Sequence, residues 1–398
     1  MGNDEMNSCP LEYWMWLQNA LGAGAATDEI LSYFENAKTM YEAGEYEWRL
    51  SGIFTASKIE RLKQRSPKDF LQSVDECRGK GIKILTPDNE KYPKQYKSLT
   101  DMPLVLYVAG DESSLLDHIH IAIVGTRKAS AYGMEVTQRM SFSLAKAGVT
   151  IVSGGALGID SEAHKGAMLA KGRTVCVLGC GLCCDYLKAN AALRRAITRF
   201  GAVISEYPIF APASRITFPI RNRLISGLSL GVVIVEAGEK SGSLITARVA
   251  AEQGRDVFAV PGDILRSSFT GTNMLIKDGV KAVFTPSDVL SEYSYEYGEY
   301  LNTEGIDEFF SSAKYNNYQE KENSASKVKS PKKSVVLPQT ASENAKCVFA
   351  ILSVNAIHID EISEKASIDI QKTLCALTEL EMYGCARQIE GKRYIINK

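Results

Sequence analysis

The chain has 398 residues, 45% of them hydrophobic and 23% charged, an ordinary globular balance that excludes a mostly disordered or collagen-like polymer. That length exceeds what one hydrophobic core fills and predicts about two to four domains. Lysine plus arginine (46) nearly cancels aspartate plus glutamate (47), for a net charge of -1, so no global field advertises a polyanionic partner and any nucleic-acid site must be a local basic patch.

No apolar run reaches the roughly 18 residues of a membrane span, and the stretch Met1 to Pro10 is polar and acidic, unlike a secretory leader. A cytoplasmic protein without a membrane partner is expected. Nine cysteines, an odd number spread from Cys9 to Cys385, read as reduced thiols rather than a disulfide framework. Cys176, Cys180, Cys183 and Cys184 include one C-x-x-C, but no second pair and no histidine stand nearby, so no metal or other cofactor is expected.

In chain order, residues 1–78 read as a small helical domain, with Tyr13, Trp14, Leu17, Leu21, Ile30, Leu31 and Phe34 at three- and four-residue spacings. The break Leu21-Gly22-Ala23-Gly24 is either a tight interhelical turn or a helix-hairpin-helix DNA contact. Over 79–292 the pattern changes to short apolar runs separated by helical stretches: IAIVG, VTIVSGG, TVCVLGCG, AVISE, GVVIVEA, DVFAVPG and KAVFT. Continuous apolar strands alternating with helices predict an α/β fold with a parallel doubly wound sheet, its strands buried on both faces. Residues 293–343 become Tyr/Glu-rich and then Ser/Lys/Asn-rich, a composition expected of a flexible linker. Residues 344–398 regain helical patterns at AKCVFAILS, IDEISEKA and DIQKTLCALTELEMYG, followed by a hairpin pattern around Gly391, which predicts a winged helix.

Ligands of an open parallel sheet sit beyond the carboxyl ends of its strands. There the chain places Gly125-Thr126-Arg127, Ser153-Gly154-Gly155, Gly179-Cys180-Gly181 and Ser241-Gly242-Ser243, with Gly271-Thr272-Asn273 before a late helix. Glycine lets backbone approach a ligand, and helix starts offer N–H groups to an anion, so these loops suit a phosphate-bearing ligand. Neither the dinucleotide fingerprint nor a Walker A loop is present. Positive charge accumulates instead: Arg127, Lys165, Arg215, Arg221, Arg223, Lys240 and Arg248 lie on or just beyond the loops, and Phe218 stands within ITFPIRNR. Rings interleaved with cations suit a single strand, whose bases stack while guanidinium groups hold phosphates. Asp160 and His164 lie four apart on a predicted helix without a nucleophile or metal triad to complete a site, and read as structural.

Together the phrases AIVGTRKASAYG, IVSGGALGIDSEAHKGAM, VCVLGCG, ISEYP, FPIRNRLISGLSLGVVIVEAGEKSGSLITARVAAEQGRDVFAVPGD and GTNMLIKDG resemble the DprA/Smf family. The resemblance implies an extended Rossmann-like core flanked by a helical N-terminal domain and a C-terminal winged helix. It implies a non-enzymatic homodimer that binds single-stranded DNA without strong sequence preference, protects it during natural transformation and loads RecA recombinase onto it. Carried over by motif and loop position, the expected DNA-facing residues are Arg127, Ser153, Gly154, Lys165, Phe218, Arg221, Asn222, Arg223, Lys240 and Ser241. Two departures stand out: Leu157 occupies a position that is basic in the family, and Cys183-Cys184-Asp185-Tyr186-Leu187 replaces its Asp and Tyr-Pro pattern.

Two other readings compete. A Rossmann-like nucleotide phosphoribohydrolase would also use glycine-rich loops, although its Pro-Gly-Gly-x-Gly-Thr phrase is missing. A winged-helix regulator is disfavoured because the segment Ile370 to Tyr383 carries Lys372 against Glu379 and Glu381, a poor major-groove reader. A self-complementary patch near 256–290 is the expected dimer contact.

Overall fold

The computed structural model describes residues 9–185, 188–311, 337–338, 341–353, 357–389 and 393–396. The chain divides into two compact units, Met1–Glu322 and Asn323–Lys398.

The first unit opens with helices α1 (Leu11–Leu21), α2 (Asp28–Phe34), α3 (Ala37–Leu50), α4 (Ala56–Lys63) and α5 (Leu71–Gly79). Local chemistry sets their starts: Asn36 Oδ1 accepts from the N–H groups of Lys38 and Thr39, and Thr55 Oγ1 accepts from Lys58 N–H. Their apolar faces bury Trp14, Trp16, Leu17, Ile30, Met40 and Leu62. Leu104, Val105, Tyr107 and Ile209 close the same core, so the helical segment is joined to the sheet that follows.

That sheet has nine strands: β1 (Lys83–Leu85), β2 (Leu106–Gly110), β3 (His120–Val124), β4 (Thr150–Ser153), β5 (Thr174–Leu178), β6 (Gly201–Ser205), β7 (Gly231–Ile234), β8 (Asp256–Ala259) and β9 (Lys281–Ala282), in spatial order 1-2-6-5-4-3-7-8-9. The seven apolar runs read from the sequence are β3 to β9, all parallel to one another. The sequence reading missed β1 and β2, which join the β6 edge antiparallel. Helices α6 (Ala131–Lys146), α7 (Ile159–Leu169), α8 (Ala191–Ile197), α9 (Thr217–Leu228) and α10 (Gly242–Glu252) make the crossovers, with α11 (Thr270–Lys277) before β9.

Side chains alternate across a strand, and both faces are filled. Ile121, Ile123 and Ile151 pack with Phe142 and Leu144 of α6 and Ala163 and Ala167 of α7. Ala122, Val124 and Val152 pack with Leu224, Ile225 and Leu228 of α9 and Ala247 and Ala250 of α10. The result is a three-layer, Rossmann-like α/β core with a parallel-dominated sheet.

Part of the expected linker is ordered. After α12 (Pro286–Leu290) come α13 (Ser294–Tyr297) and α14 (Ile306–Phe310), and the buried residues Tyr293 and Ile306 belong to the core beneath α6. Tyr293 donates its hydroxyl to Asp256 Oδ2 (2.8 Å), and Arg139 Nη1 donates to the Phe310 carbonyl (3.1 Å). A composition count treats tyrosine as half polar, whereas its ring buries readily once the hydroxyl has a partner. Residues 312–336 of the expected linker lie outside the described residues, as do Tyr186 and Leu187.

The second unit contains α15 (Glu343–Ile351), β10 (Ile357–His358), α16 (Ile359–Ala366), α17 (Ile370–Met382), β11 (Ala386–Ile389) and β12 (Arg393–Ile396). Ser342 caps α15 by accepting from Ala345 N–H (3.1 Å). The antiparallel β11–β12 pair and β10 form a three-stranded sheet, and Val348, Ile362, Leu377, Leu380 and Tyr394 fill the core between it and the helices. This is a winged helix. Among the described residues no helix is long and apolar enough to cross a membrane.

Candidate nucleic-acid interface

Outward from β3, chain order runs through β4, β5 and β6 on one side and through β7, β8 and β9 on the other. The β3/β7 boundary is therefore the topological switch point, where crossovers leave to opposite faces and open a crevice at the carboxyl edge. A cleft of about 460 Å³ lies there, lined among others by Arg127, Asp160, Arg215, Phe218, Arg221 and Ser241.

The Gly125–Ser130 loop that carries Arg127 is tied to the end of β7. Thr126 N–H donates to the Glu236 carbonyl (2.7 Å), while Glu236 Oε2 accepts from both the N–H (2.9 Å) and the hydroxyl (2.8 Å) of Ser130. Arg127, exposed, sets its guanidinium carbon 5.1 Å from the centre of the Phe218 ring, and Arg221 approaches the same ring at 5.9 Å. Phe218 is half-buried, and the paired cations enrich its face electrostatically. Ser241 is the N-cap of α10, its Oγ accepting from Ser243 N–H (3.4 Å), and Ser241, Gly242 and Ser243 line the cleft. The positive end of that helix dipole thus opens on the space beside Arg127.

Beneath the cleft the polar groups serve the fold. Arg221 is 5% exposed and donates from Nη1 to the Gly154 carbonyl (2.9 Å) and to the Val177 carbonyl, and from Nε to Asn222 Oδ1 (3.1 Å). Ser153 is buried and donates to the Ile123 carbonyl (2.7 Å). A Cβ on Gly154 would lie 2.7 Å from Asp160 Oδ2 and 2.9 Å from Arg221 Nη2, so only glycine lets these two side chains meet there. Burial raises the Asp160 carboxyl above its ordinary range, opposed by the Arg221 guanidinium and the Ala156 N–H.

Of the ten expected residues, the structure gathers Arg127, Phe218, Arg221, Asn222 and Ser241 along the cleft, with Ser153 and Gly154 under its floor and the exposed Lys240 just before Ser241. Lys165 does not line it: five residues beyond Asp160 on α7, about 7–8 Å along the helix, it pairs with Glu162 at 2.7 Å. Nor does Arg223, which is 5% exposed and meets Glu206 (2.5 Å) and Asp101 (3.4 Å) on the opposite face of α9. The sequence reading passed over Glu236 and Glu206. Their signal was an acid ending an apolar run at a sheet edge already rich in arginine.

His164 is fully buried against β5, and Nδ1 lies 2.7 Å from Thr174 Oγ1. That hydroxyl already donates to Ile151 O (2.8 Å), so Nδ1 carries the proton. Burial pushes the imidazole down to about 3. The unfolded chain therefore takes up this proton below roughly pH 6.5 while the folded chain resists it, so stability falls as pH drops through that window, by up to about 1.4 kcal/mol per pH unit from this group. Urea unfolding midpoints measured between pH 7 and 5 are expected to fall more steeply in the wild type than in His164→Asn. Burial likewise pushes the Cys176 and Cys180 thiols up to about 12, which keeps them protonated and unreactive.

A family model described as DNA recombination-mediator protein A matches residues 83–294, and one described as DprA winged helix domain matches residues 332–392. Protein Smf of Synechocystis is 31% identical over 399 residues, covering 96% of this chain and 98% of its own length. The chain belongs to the DprA family. The DNA processing protein DprA of Bacillus subtilis is 41% identical over 215 residues, 54% of this chain and 72% of that protein. The X-ray structure of DprA from Streptococcus pneumoniae superposes with a TM-score of 0.62 at 33% identity, covering 71% of this chain and 97% of that one. The α/β core and winged helix described above are thus the two DprA modules, and the cleft at β3/β7 lies wholly within the segment matched as recombination mediator.

Proposed function

We propose that the chain binds single-stranded DNA in the Arg127–Phe218 cleft without strong sequence preference, protects it, and loads a RecA recombinase onto it during DNA uptake in the cytoplasm, acting as a mediator rather than an enzyme. One observation carries the reading: the half-buried Phe218 ring lies in an open cleft with the guanidinium groups of Arg127 and Arg221 5.1 and 5.9 Å from its centre. Every base has a face to stack on such a ring, whereas a duplex keeps its faces hidden. The neighbouring Arg215 and the α10 start supply phosphate contacts. Ser153, Gly154 and Arg221 act beneath the strand, holding the loop that receives it. Lys240 and Asn222 are rim contacts. Arg223 acts from outside the cleft by fixing α9, and Lys165, paired with Glu162, takes no part in it.

The recombinase-loading step rests on membership of a recombination-mediator family. A homodimer fits the β8–β9 edge, where Met274 is 47% and Phe284 67% exposed, and apolar side chains so exposed suit self-association. Sedimentation of Phe284→Glu is expected to give a monomer where the wild type gives a dimer; a monomeric wild type at micromolar concentration removes this contact.

Fluorescence anisotropy with labelled oligo-dT and a matching duplex, across a salt series, tests the cleft. Preference for the single strand, lost in the Arg127→Ala/Phe218→Ala double variant, supports the mediator reading. Absence of binding to either at low salt overturns it and favours a nucleotide phosphoribohydrolase, to be tested with nucleoside monophosphates.

A further inference from the structure

A second aromatic platform stands on the same edge of the sheet. Tyr132, in the first turn of α6, is 48% exposed, yet its ring is fixed: the hydroxyl donates to the Pro261 carbonyl (3.2 Å), and the ring meets the buried Phe269 edge-on at 5.7 Å. The facing wall is held as firmly, since Asn273 donates from Nδ2 to the Gly262 carbonyl (3.1 Å) and accepts the Gly262 N–H at Oδ1 (3.2 Å). Between them lies an open cavity of about 440 Å³ lined by Tyr132, Pro261, Gly262, Asp263, Arg266 and Phe269. Arg266 holds its exposed guanidinium at that rim, 3.4 Å from Asp263.

The position relative to the cleft follows from register. Val124 of β3 pairs with Ile234 of β7, which pairs with Ala259 of β8, so the ends of these strands lie side by side. With neighbouring strands 4.7–4.9 Å apart, the loop after β8 is about 10 Å from the loop that carries Arg127. Exposed Arg127 and Lys128 occupy the short stretch leading to Tyr132. A ring that is immobile before binding costs little entropy to stack upon, and a guanidinium beside it suits the phosphate of the same nucleotide.

We propose that Tyr132 and Arg266 form a second nucleotide-binding subsite, which takes a base of the same single strand further along from the one on Phe218. The inference rests on the single-strand reading of the cleft and extends the path of the strand along the carboxyl ends of β3, β7 and β8.

The test compares an oligo-dT length series on wild type, Tyr132→Ala, Tyr132→Phe and Phe218→Ala. Tyr132→Ala is expected to bind the longer oligonucleotides about tenfold more weakly, with little change for the shortest strand that Phe218 holds. Tyr132→Phe keeps the ring and should stay within about threefold of the wild type. Because Tyr132→Ala removes packing on Phe269, a second measurement uses the wild-type protein: photocrosslinking to oligonucleotides carrying 5-bromodeoxyuridine, with adducts mapped by mass spectrometry. Adducts on both Tyr132 and Phe218 support the subsite. Adducts on Phe218 with none on Tyr132 overturn it and leave the cleft reading standing, whereas wild-type binding by Phe218→Ala overturns the cleft reading itself. A Tyr132→Ala change in sedimentation without change in DNA binding overturns the subsite and makes the cavity a contact between copies.

Discussion

Replacing Arg223 by alanine is expected to lower the unfolding free energy by about 3–5 kcal/mol, the usual cost of stranding a buried charge. Glu206, its partner, is 2% exposed and also accepts from Gln18 Nε2 (3.3 Å). Burial already raises the Glu206 carboxyl, and the Arg223 guanidinium is the first influence holding it down, so the variant should raise it further. A carboxyl whose folded value exceeds its unfolded one favours the folded state as pH falls towards the unfolded value. The difference between wild type and Arg223→Ala is therefore expected to narrow as pH drops from 7 towards about 4.5, read from urea unfolding followed by circular dichroism. A constant difference across that range would show that Glu206 is not the stranded partner. Replacing both residues, as Arg223→Met with Glu206→Leu, should recover most of the loss.

Phe218→Ala is expected to weaken oligo-dT binding by about 1–3 kcal/mol, the range for removing one stacking ring, while leaving the dependence on salt unchanged. Arg127→Ala is expected to weaken binding on every sequence and to reduce the salt slope by about one counterion. The contrast follows from the geometry: the Phe218 ring carries no charge to exchange with counterions, whereas Arg127 is exposed and able to reach a phosphate. Anisotropy titrations between low and moderate salt separate the two effects. Identical slopes for Arg127→Ala and wild type would remove the phosphate contact. Unchanged affinity in Phe218→Ala would remove the stacking site.

Phe218 and Arg223 stand in one block of the sequence, FPIRNR, and the helix divides them. Phe218, Arg221 and Asn222 are spaced three and four apart on α9 and share the cleft face, as helical periodicity requires. Arg223 is five positions from Phe218, about 140° further round the helix, and turns to Glu206 and Asp101 instead. Basic residues in a glycine-rich sheet edge were readable as a group; which of them line the cleft depended on where α9 begins.

The sequence by itself determined the parallel core, because IAIVG, VTIVSGG and the five runs after them are apolar on both faces and alternate with helices, a pattern that buried strands alone satisfy. It likewise placed Arg127, Phe218 and Ser241 at one edge, since ligand-facing loops of such a sheet follow its strands. Tertiary structure decided the rest. The strands β1 and β2 are short, three and five residues, and are held in the sheet by antiparallel pairing, β1 on β2 and β2 on the β6 edge. The Tyr-rich segment after Leu290 orders by packing beneath α6 and against β8, where Tyr293 meets Asp256 and Phe258. Glu236 and Glu206 are ordinary acids in the sequence, and become the anchors of the Arg127 loop and of α9 only when the fold buries each beside donors contributed by distant parts of the chain.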